Sequence, residues 1–151
     1  MASVRIWQKK RLVLDHLNFR QHQMFKIGTV GVAAVKNRVQ AALDPEDQAA
    51  KPLTKRYAIQ KTKLGKGNRR NLTFTGDMLR NLTLRTVSEK AAKAGLTSRK
   101  ERIKAWANQK IEQWLVFSPK NKAAVVEAAR RVMHEAAKRL VVERALGGKQ
   151  R

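Results

Sequence analysis

The side chains best suited to chemistry are scattered along this chain of 151 residues. His16 and His22 stand six positions apart, so they share no helix face, and neither has a carboxylate three or four residues further on. Protein metal sites need several such ligands brought together. His134 lies beside Glu135 within a helical pattern, which is typical of a solvated helix face. The histidines therefore predict no metal site.

Nucleophiles and acid–base groups form no catalytic pattern either. The 11 acidic residues are spread thinly among 34 basic ones and provide no carboxylate pair, and the serines fall in turn or cap contexts without a nucleophile elbow. Residues 65–68, Gly-Lys-Gly-Asn, lack the spacing of a Walker A phosphate loop, so a flexible turn is the better interpretation. The absence of cysteine excludes disulfide and thiol chemistry. We expect no enzymatic activity, no metal and no cofactor.

The formal charge of +23 is concentrated in one stretch. Residues 51–70 contain eight basic residues, no acidic residue and few large apolar ones, so we expect them to bury too little surface to offset their ordering entropy. The prediction is an extended basic arm over residues 48–70, for which three interpretations stay open: a solvated mobile loop, a contact with nucleic acid, and a contact with an acidic protein surface. The basic residues are Lys51, Lys55, Arg56, Lys61, Lys63, Lys66, Arg69 and Arg70.

The distribution of apolar residues argues against a membrane protein. The longest apolar runs hold about four residues, far fewer than the ~18 that a transmembrane helix needs. The first residues include several basic ones but no apolar core followed by a cleavage site, so no signal peptide is predicted. We expect a soluble intracellular protein that does not contact a membrane.

Two long helices are predicted from apolar residues at helical spacing. The first covers residues 19–43 and is stopped by Asp44-Pro45, because the residue before a proline is disfavoured in the α region. The second starts with Ser118-Pro119 as N-cap and first helical residue, and Gly147-Gly148 ends it. Residues 3–17 fit a helix and a strand equally well.

Shorter elements are predicted between the two long helices. Alternating apolar residues predict strands at residues 72–74, 82–86 and 92–96, with a turn at Ser88-Glu89-Lys90. Thr75 is placed to cap a single helical turn, with Asp77 near its positive end.

A further helix is predicted after Ser98, which has capping-box spacing to Glu101. Residues 114–117 form either a short strand or the end of that helix. The fold class is therefore α+β, with a small antiparallel sheet packed by a long N-terminal and a long C-terminal helix. Residues 19–151 are expected to form one domain that includes the arm, preceded by an N-terminal segment, residues 1–18. The helix after Ser98 is expected to bury Ile103, Trp106, Ala107, Lys110, Ile111 and Trp114.

The centre of the chain resembles a known family. Residues 57–66, Tyr-Ala-Ile-Gln-Lys-Thr-Lys-Leu-Gly-Lys, are followed by residues 72–82, Leu-Thr-Phe-Thr-Gly-Asp-Met-Leu-Arg-Asn-Leu. Together they resemble the basic Tyr-Ala-x-x-Lys-x-x-x-Gly segment and the Leu-x-x-Thr-Gly-x-Met/Leu-x-x-Ser-Leu signature of tailed-phage neck and tail-completion proteins. The order of elements further on is also similar, so the resemblance covers roughly residues 50–145. Thr75, Gly76 and Asp77 form its structural motif.

The resemblance implies a structural role. Members of this family assemble as rings of six or twelve copies below the portal, join the filled head to the tail and line the DNA channel, with no cofactor. The implied partners are further copies of the chain, portal or adaptor proteins and tail proteins, with packaged DNA as another contact of the basic arm. The implied location is the neck or tail region of a virion assembled in the host cytoplasm.

A small basic nucleic-acid-binding protein of ribosomal or nucleoid type is the competing hypothesis. Its size and charge suit that role. However, Tyr57 is the only aromatic residue among residues 51–70, which gives little support to base stacking.

Overall fold

Five helices and one β-hairpin make up the described part of the chain, residues 19–71, 76–111 and 113–147 of a computed structural model. Helix α1 packs against both α5 and the hairpin, and α3 and α4 pack beside the hairpin. The predicted α+β class, with a small antiparallel sheet and two long helices, is confirmed. In chain order the elements are α1 (Gln21–Gln40), α2 (Lys55–Lys63), α3 (Asp77–Arg80), β1 (Leu82–Val87), β2 (Ala92–Leu96), α4 (Arg99–Ile111) and α5 (Pro119–Gly147).

Helix α1 carries the apolar stripe that its sequence predicts, and it ends earlier than expected. The last helical residue is Gln40, and Ala42 adopts a left-handed conformation with φ of 56°. The Leu43 amide then donates a hydrogen bond to the Arg38 carbonyl at 3.1 Å, which satisfies a carbonyl that the helix end would leave unpaired. The predicted stop at Asp44-Pro45 is thus three residues too late.

Two glycines let α1 lie close to its neighbours. A Cβ atom at Gly28 would lie 2.7 Å from the Cβ of Ala92 on β2, closer than real Cβ contacts allow. A Cβ at Gly31 would lie 3.1 Å from the ring of Phe117. Because both glycines lack that atom, the α1 backbone approaches the hairpin and the segment before α5 directly.

The hairpin has the predicted strands and turn. Leu82 pairs with Leu96 and Leu84 with Ala94, and a bulge follows Leu84. The turn closes where the Ser88 amide donates to the carbonyl of residue 91 at 2.8 Å. The predicted strand at residues 72–74 lies outside the described residues.

The buried apolar side chains form two clusters along α1. One lies at the C-terminal half of α1 and joins it to α3, α4, the hairpin and the loop after α4; the other joins the N-terminal half of α1 to α5. The first contains Val35, Val39, Met78, Leu79, Leu82, Leu96, Ala105, Trp114 and Leu115. The second contains Phe19, Met24, Ile27, Ala129 and Val132. Residues 114–117 form a turn rather than the predicted strand or helix end.

The start of α5 is fixed by three side chains. The backbone amide of Asn121 donates to the Ser118 hydroxyl at 3.1 Å, which confirms Ser118 as the N-cap. The side-chain amide of Asn121 donates to the Ala34 carbonyl of α1 at 3.1 Å. The Lys120 amide donates to Asp47 at 3.1 Å. Burial alone would raise the pKa of Asp47, but hydrogen bonds from Ser118 and Lys120 and the charges of Lys120 and Arg38 lower it overall.

Candidate interaction surface

The basic segment, residues 51–70, is not the extended arm that its composition predicts. Lys55–Lys63 form helix α2, whose residues include good helix formers such as Ala58, Gln60 and several lysines. Two left-handed glycines, Gly65 with φ of 67° and Gly67 with φ of 68°, then turn the chain. Since α2 contributes only Lys61 to the buried residues, this helix and turn lie outside both apolar clusters.

Lys61 holds the basic segment in shape and is not available to a partner. Its side chain is 1% exposed, and its ammonium group donates to the Arg69 carbonyl at 2.6 Å and to Asn71 Oδ1 at 2.5 Å. Desolvation lowers the pKa of Lys61 from its ordinary value, because burial disfavours the charged form. The expectation that Lys61 contacts DNA or another protein is therefore wrong. Its two hydrogen bonds connect α2 to Arg69 and Asn71.

Arg70 also has a structural position. Its side chain is half-buried, donates to the Pro52 carbonyl at 3.5 Å, and lines a small cavity with Val39 and Trp114. The end of the basic segment thus lies against the body of the protein. The predicted contact residues that do remain exposed are Lys51, Lys55, Arg56, Lys63, Lys66 and Arg69.

Two residues of the Thr-Gly-Asp motif, Gly76 and Asp77, lie at the start of α3. The third, Thr75, is the predicted cap and is outside the described residues. Gly76 has φ of 74°, which only glycine adopts readily, and Asp77 begins the helix. Asp77 pairs with Arg80, and the Asn81 side chain donates to the Asp77 carbonyl at 2.8 Å. In this arrangement Gly76 and Asp77 build a turn between the basic segment and the hairpin.

Helix α4 directs its large apolar side chains to solvent. The predicted burial of Ile103, Trp106 and Ile111 is therefore wrong, whereas that of Trp114 is confirmed. Ile103, Trp106 and Ile111 are 62%, 50% and 53% exposed, whereas Glu101 and Ala105 are buried. Ala105 belongs to the core cluster at the C-terminal half of α1, so its side of α4 faces the core. Trp114, predicted on the same face, fills the core from beyond the helix end. Helical periodicity identifies an apolar stripe but not whether that stripe meets the chain's own core.

We define the α4 surface as Ile103, Trp106, Ala107, Lys110 and Ile111. At 100° per residue these five positions span about 140° of the helix. The Lys110 ammonium group lies 3.7 Å from the centre of the Trp106 ring, a cation–π contact. Motif reasoning missed this surface. The signal that could have revealed it is the presence of Lys110, Arg99 and Lys100 on the same arc as the apolar residues.

Two further features are absent from the described residues. Within them, no group of three or more histidine, aspartate or glutamate side chains is placed to hold a metal ion. No helix in the same ranges has both the length and the apolar character needed to cross a membrane.

Comparison with known proteins adds no relative from which a role could be transferred. No protein-family model matches the sequence, and neither a curated protein nor a solved structure matches the chain.

Proposed function

We propose that this chain is a structural virion protein of a tailed phage, a ring-forming neck, head–tail connector or tail-completion subunit. It joins portal and tail around the DNA channel and has no enzymatic activity. The sequence resemblance over residues 57–82 supports this role, together with a surface suited to assembly. The virion neck or tail region is its proposed location, reached by assembly in the host cytoplasm.

The shape of the basic segment is the observation that carries the proposal. Its exposed cations are presented by a short helix and a glycine turn that lie outside the apolar clusters, with no acidic residue among residues 51–70. Ile59 and Leu64 on the same helix and turn are also exposed. A surface that combines cations with aliphatic groups is suited to a neighbouring protein, because phosphates would leave the aliphatic groups in water.

Electrostatics explains why such a subunit needs partners. Copies that each carry +23 repel one another unless acidic surfaces or DNA compensate their charge. Acidic patches on portal, adaptor or tail proteins would do so, and packaged DNA could compensate cations that face the channel. The basic segment then binds neighbouring ring subunits, or the proteins next to the ring, through opposite charges.

Native mass spectrometry and negative-stain imaging of the purified protein test the proposal. We expect rings of six or twelve copies, or incorporation into portal-containing particles that survives high salt. Reversing three exposed charges, Arg56→Glu, Lys63→Glu and Lys66→Glu, should weaken this assembly without changing the thermal unfolding of the subunit. Lys61 is left out of the set, because its burial would mix folding with assembly.

A matched control reverses three exposed lysines elsewhere, Lys90→Glu, Lys93→Glu and Lys122→Glu. It changes the net charge equally, so it should weaken assembly less than the triple reversal in the basic segment. Equal loss in both variants would show that only the overall charge matters. Unaltered incorporation of the first variant would exclude the basic segment from assembly.

The second candidate function, a small nucleic-acid-binding protein of ribosomal or nucleoid type, is favoured by the run of exposed cations without acids. Such a protein should bind duplex DNA with an affinity that falls steeply with salt, with a slope near −0.9 per neutralised phosphate. Micromolar duplex binding with this slope by a chain that stays monomeric would contradict the neck proposal.

A further inference from the structure

The α4 surface is an exposed apolar feature that the proposed role of the basic segment does not use. Ile103 and Trp106 lie one helical turn apart and Ile111 one to two turns further on, all at least half exposed. Glu101 and Ala105, on the opposite side of α4, are buried against the rest of the protein. The inner side of α4, with Glu101 and Ala105, thus faces the rest of the protein. Its outer side exposes a tryptophan and two isoleucines to solvent.

The charged residues of α4 that lie on or beside the α4 surface are all basic. Arg99, Lys100 and Lys110 lie on its arc, and Arg102 and Lys104 border it on either side. The only acidic residue of α4 is Glu101, which is buried and paired with Lys104 at 2.8 Å. The outer side of α4 therefore presents apolar groups within a rim of cations.

We infer that the α4 surface is a docking site for an acidic protein surface with an apolar centre. Burying Ile103 and Ile111 requires apolar groups on the partner, and carboxylates around those groups would pair with the cations of the rim. A tryptophan with basic residues around it is also typical of the side chains that dominate binding energy at protein interfaces.

The same features disfavour other occupants. A second copy that presents its own α4 surface would bring two cationic rims together, which is repulsive. Phosphates of a nucleic acid would pair with the cations but leave Ile103 and Ile111 without an apolar partner, and Lys110 covers the ring of Trp106 that a base would stack on. The inference deepens the proposed assembly role, on which its biological meaning rests, but the surface can be tested without any ring.

Synthetic peptides provide the test. The first is an amphipathic helical peptide of leucine and glutamate, and two matched peptides replace all leucines by serine or all glutamates by lysine. Fluorescence anisotropy with the full chain at physiological salt should show binding of the leucine–glutamate peptide, and at least tenfold weaker binding of each matched peptide. Equal affinity for the serine peptide would mean that charge alone attracts it, and no binding of any peptide would overturn the inference.

Variants locate the binding. Ile103→Ser with Trp106→Ser should weaken binding of the leucine–glutamate peptide at least tenfold. Phe25→Ser, at a comparably exposed apolar residue on α1 that belongs to neither proposed surface, should change it less than twofold. Lys110→Glu, which keeps the apolar groups, should also weaken binding several-fold and serves as the second variant if the double serine variant folds poorly. Equal loss in the Phe25 variant would show nonspecific adhesion and contradict the inference.

Three further measurements with the double serine variant identify a wrong occupant. If the double serine variant loses self-association in sedimentation experiments but keeps peptide binding, the occupant of the α4 surface is a second copy of the chain. Duplex DNA, or vesicles containing phosphatidylserine, would be indicated if their binding falls as much as that of the peptide. Ring assembly is not among these readouts, so a failure here is separate from a failure of the neck proposal.

Discussion

Two tryptophans close together in sequence should differ strongly in their contribution to stability. Trp114 is 5% exposed and its indole N–H donates to the Ala105 carbonyl at 3.4 Å, so Trp114→Ala leaves a cavity in the core. Such replacements cost about 3–5 kcal/mol. Trp106 is 50% exposed, and Trp106→Ala removes about half of a side-chain burial, about 1 kcal/mol, and a surface cation–π contact of about 0.5 kcal/mol.

Urea unfolding followed by far-UV circular dichroism measures this difference without relying on tryptophan fluorescence. With a denaturant slope of about 2 kcal/mol per molar urea, the midpoint of Trp114→Ala should lie about 1 M below that of Trp106→Ala. Trp106→Phe, which keeps an aromatic ring beneath Lys110, is the control and should lie close to the wild type. Similar midpoints for the two alanine variants would refute the placement of α4 with Trp106 outward.

Three further perturbations address the turn, the basic segment and the start of α5. Because Gly76 has φ of 74°, Gly76→Ala should lower the free energy of unfolding by about 1–2 kcal/mol in the urea assay. Gly76→Asn should lower it by less, since asparagine tolerates this conformation better than alanine does. Equal losses in the two variants would contradict a conformational cause. Lys61→Met removes the donor of two hydrogen bonds, so amide hydrogen exchange should accelerate in residues 61–71 while the clusters along α1 stay protected. Unchanged exchange in residues 61–71 would contradict the role of Lys61 in connecting α2 to Arg69 and Asn71. The lowered pKa of Asp47 means that its stabilising effect is complete above the unfolded value of about 3.9 and is lost as the pH falls through the folded value. The Tm difference between wild type and Asp47→Asn should therefore be largest near neutral pH and shrink towards pH 3, whereas Glu46→Gln, at the neighbouring exposed carboxylate, should show little difference.

The parts of the fold that were predictable are those governed by local patterns. The long apolar stripes predicted α1 and α5, alternation predicted both strands of the hairpin, and Ser118 followed by proline predicted where α5 begins. The end of α1 was not predictable, because it depends on Ala42 adopting a left-handed conformation that few non-glycine residues favour.

The candidate site was less predictable because it depends on contacts between distant groups. Composition identified the charge of residues 51–70, but not the helix within them, since the basic run lacks an apolar stripe to indicate one. Nothing in the local sequence distinguishes Lys61 from its exposed neighbours. Its burial follows from a chain reversal that brings the Arg69 carbonyl and Asn71 to it. Likewise, Trp106 and Trp114 fit one helical face in sequence, and only the end of α4 at Ile111 separates their environments.

The two glycines of α1 also determine how the helix can be aligned along its neighbours. If α1 slid by four residues, Met24 or Val32 would take the place of Gly28, and Ile27 or Val35 that of Gly31. Not even a Cβ fits at the first of these places without movement of Ala92, so each such shifted alignment brings a large side chain into the hairpin. Gly28 and Gly31 thus disfavour misaligned packings of α1 as well as permitting the native one. The absence of side chains at these two positions therefore helps to specify one alignment of α1.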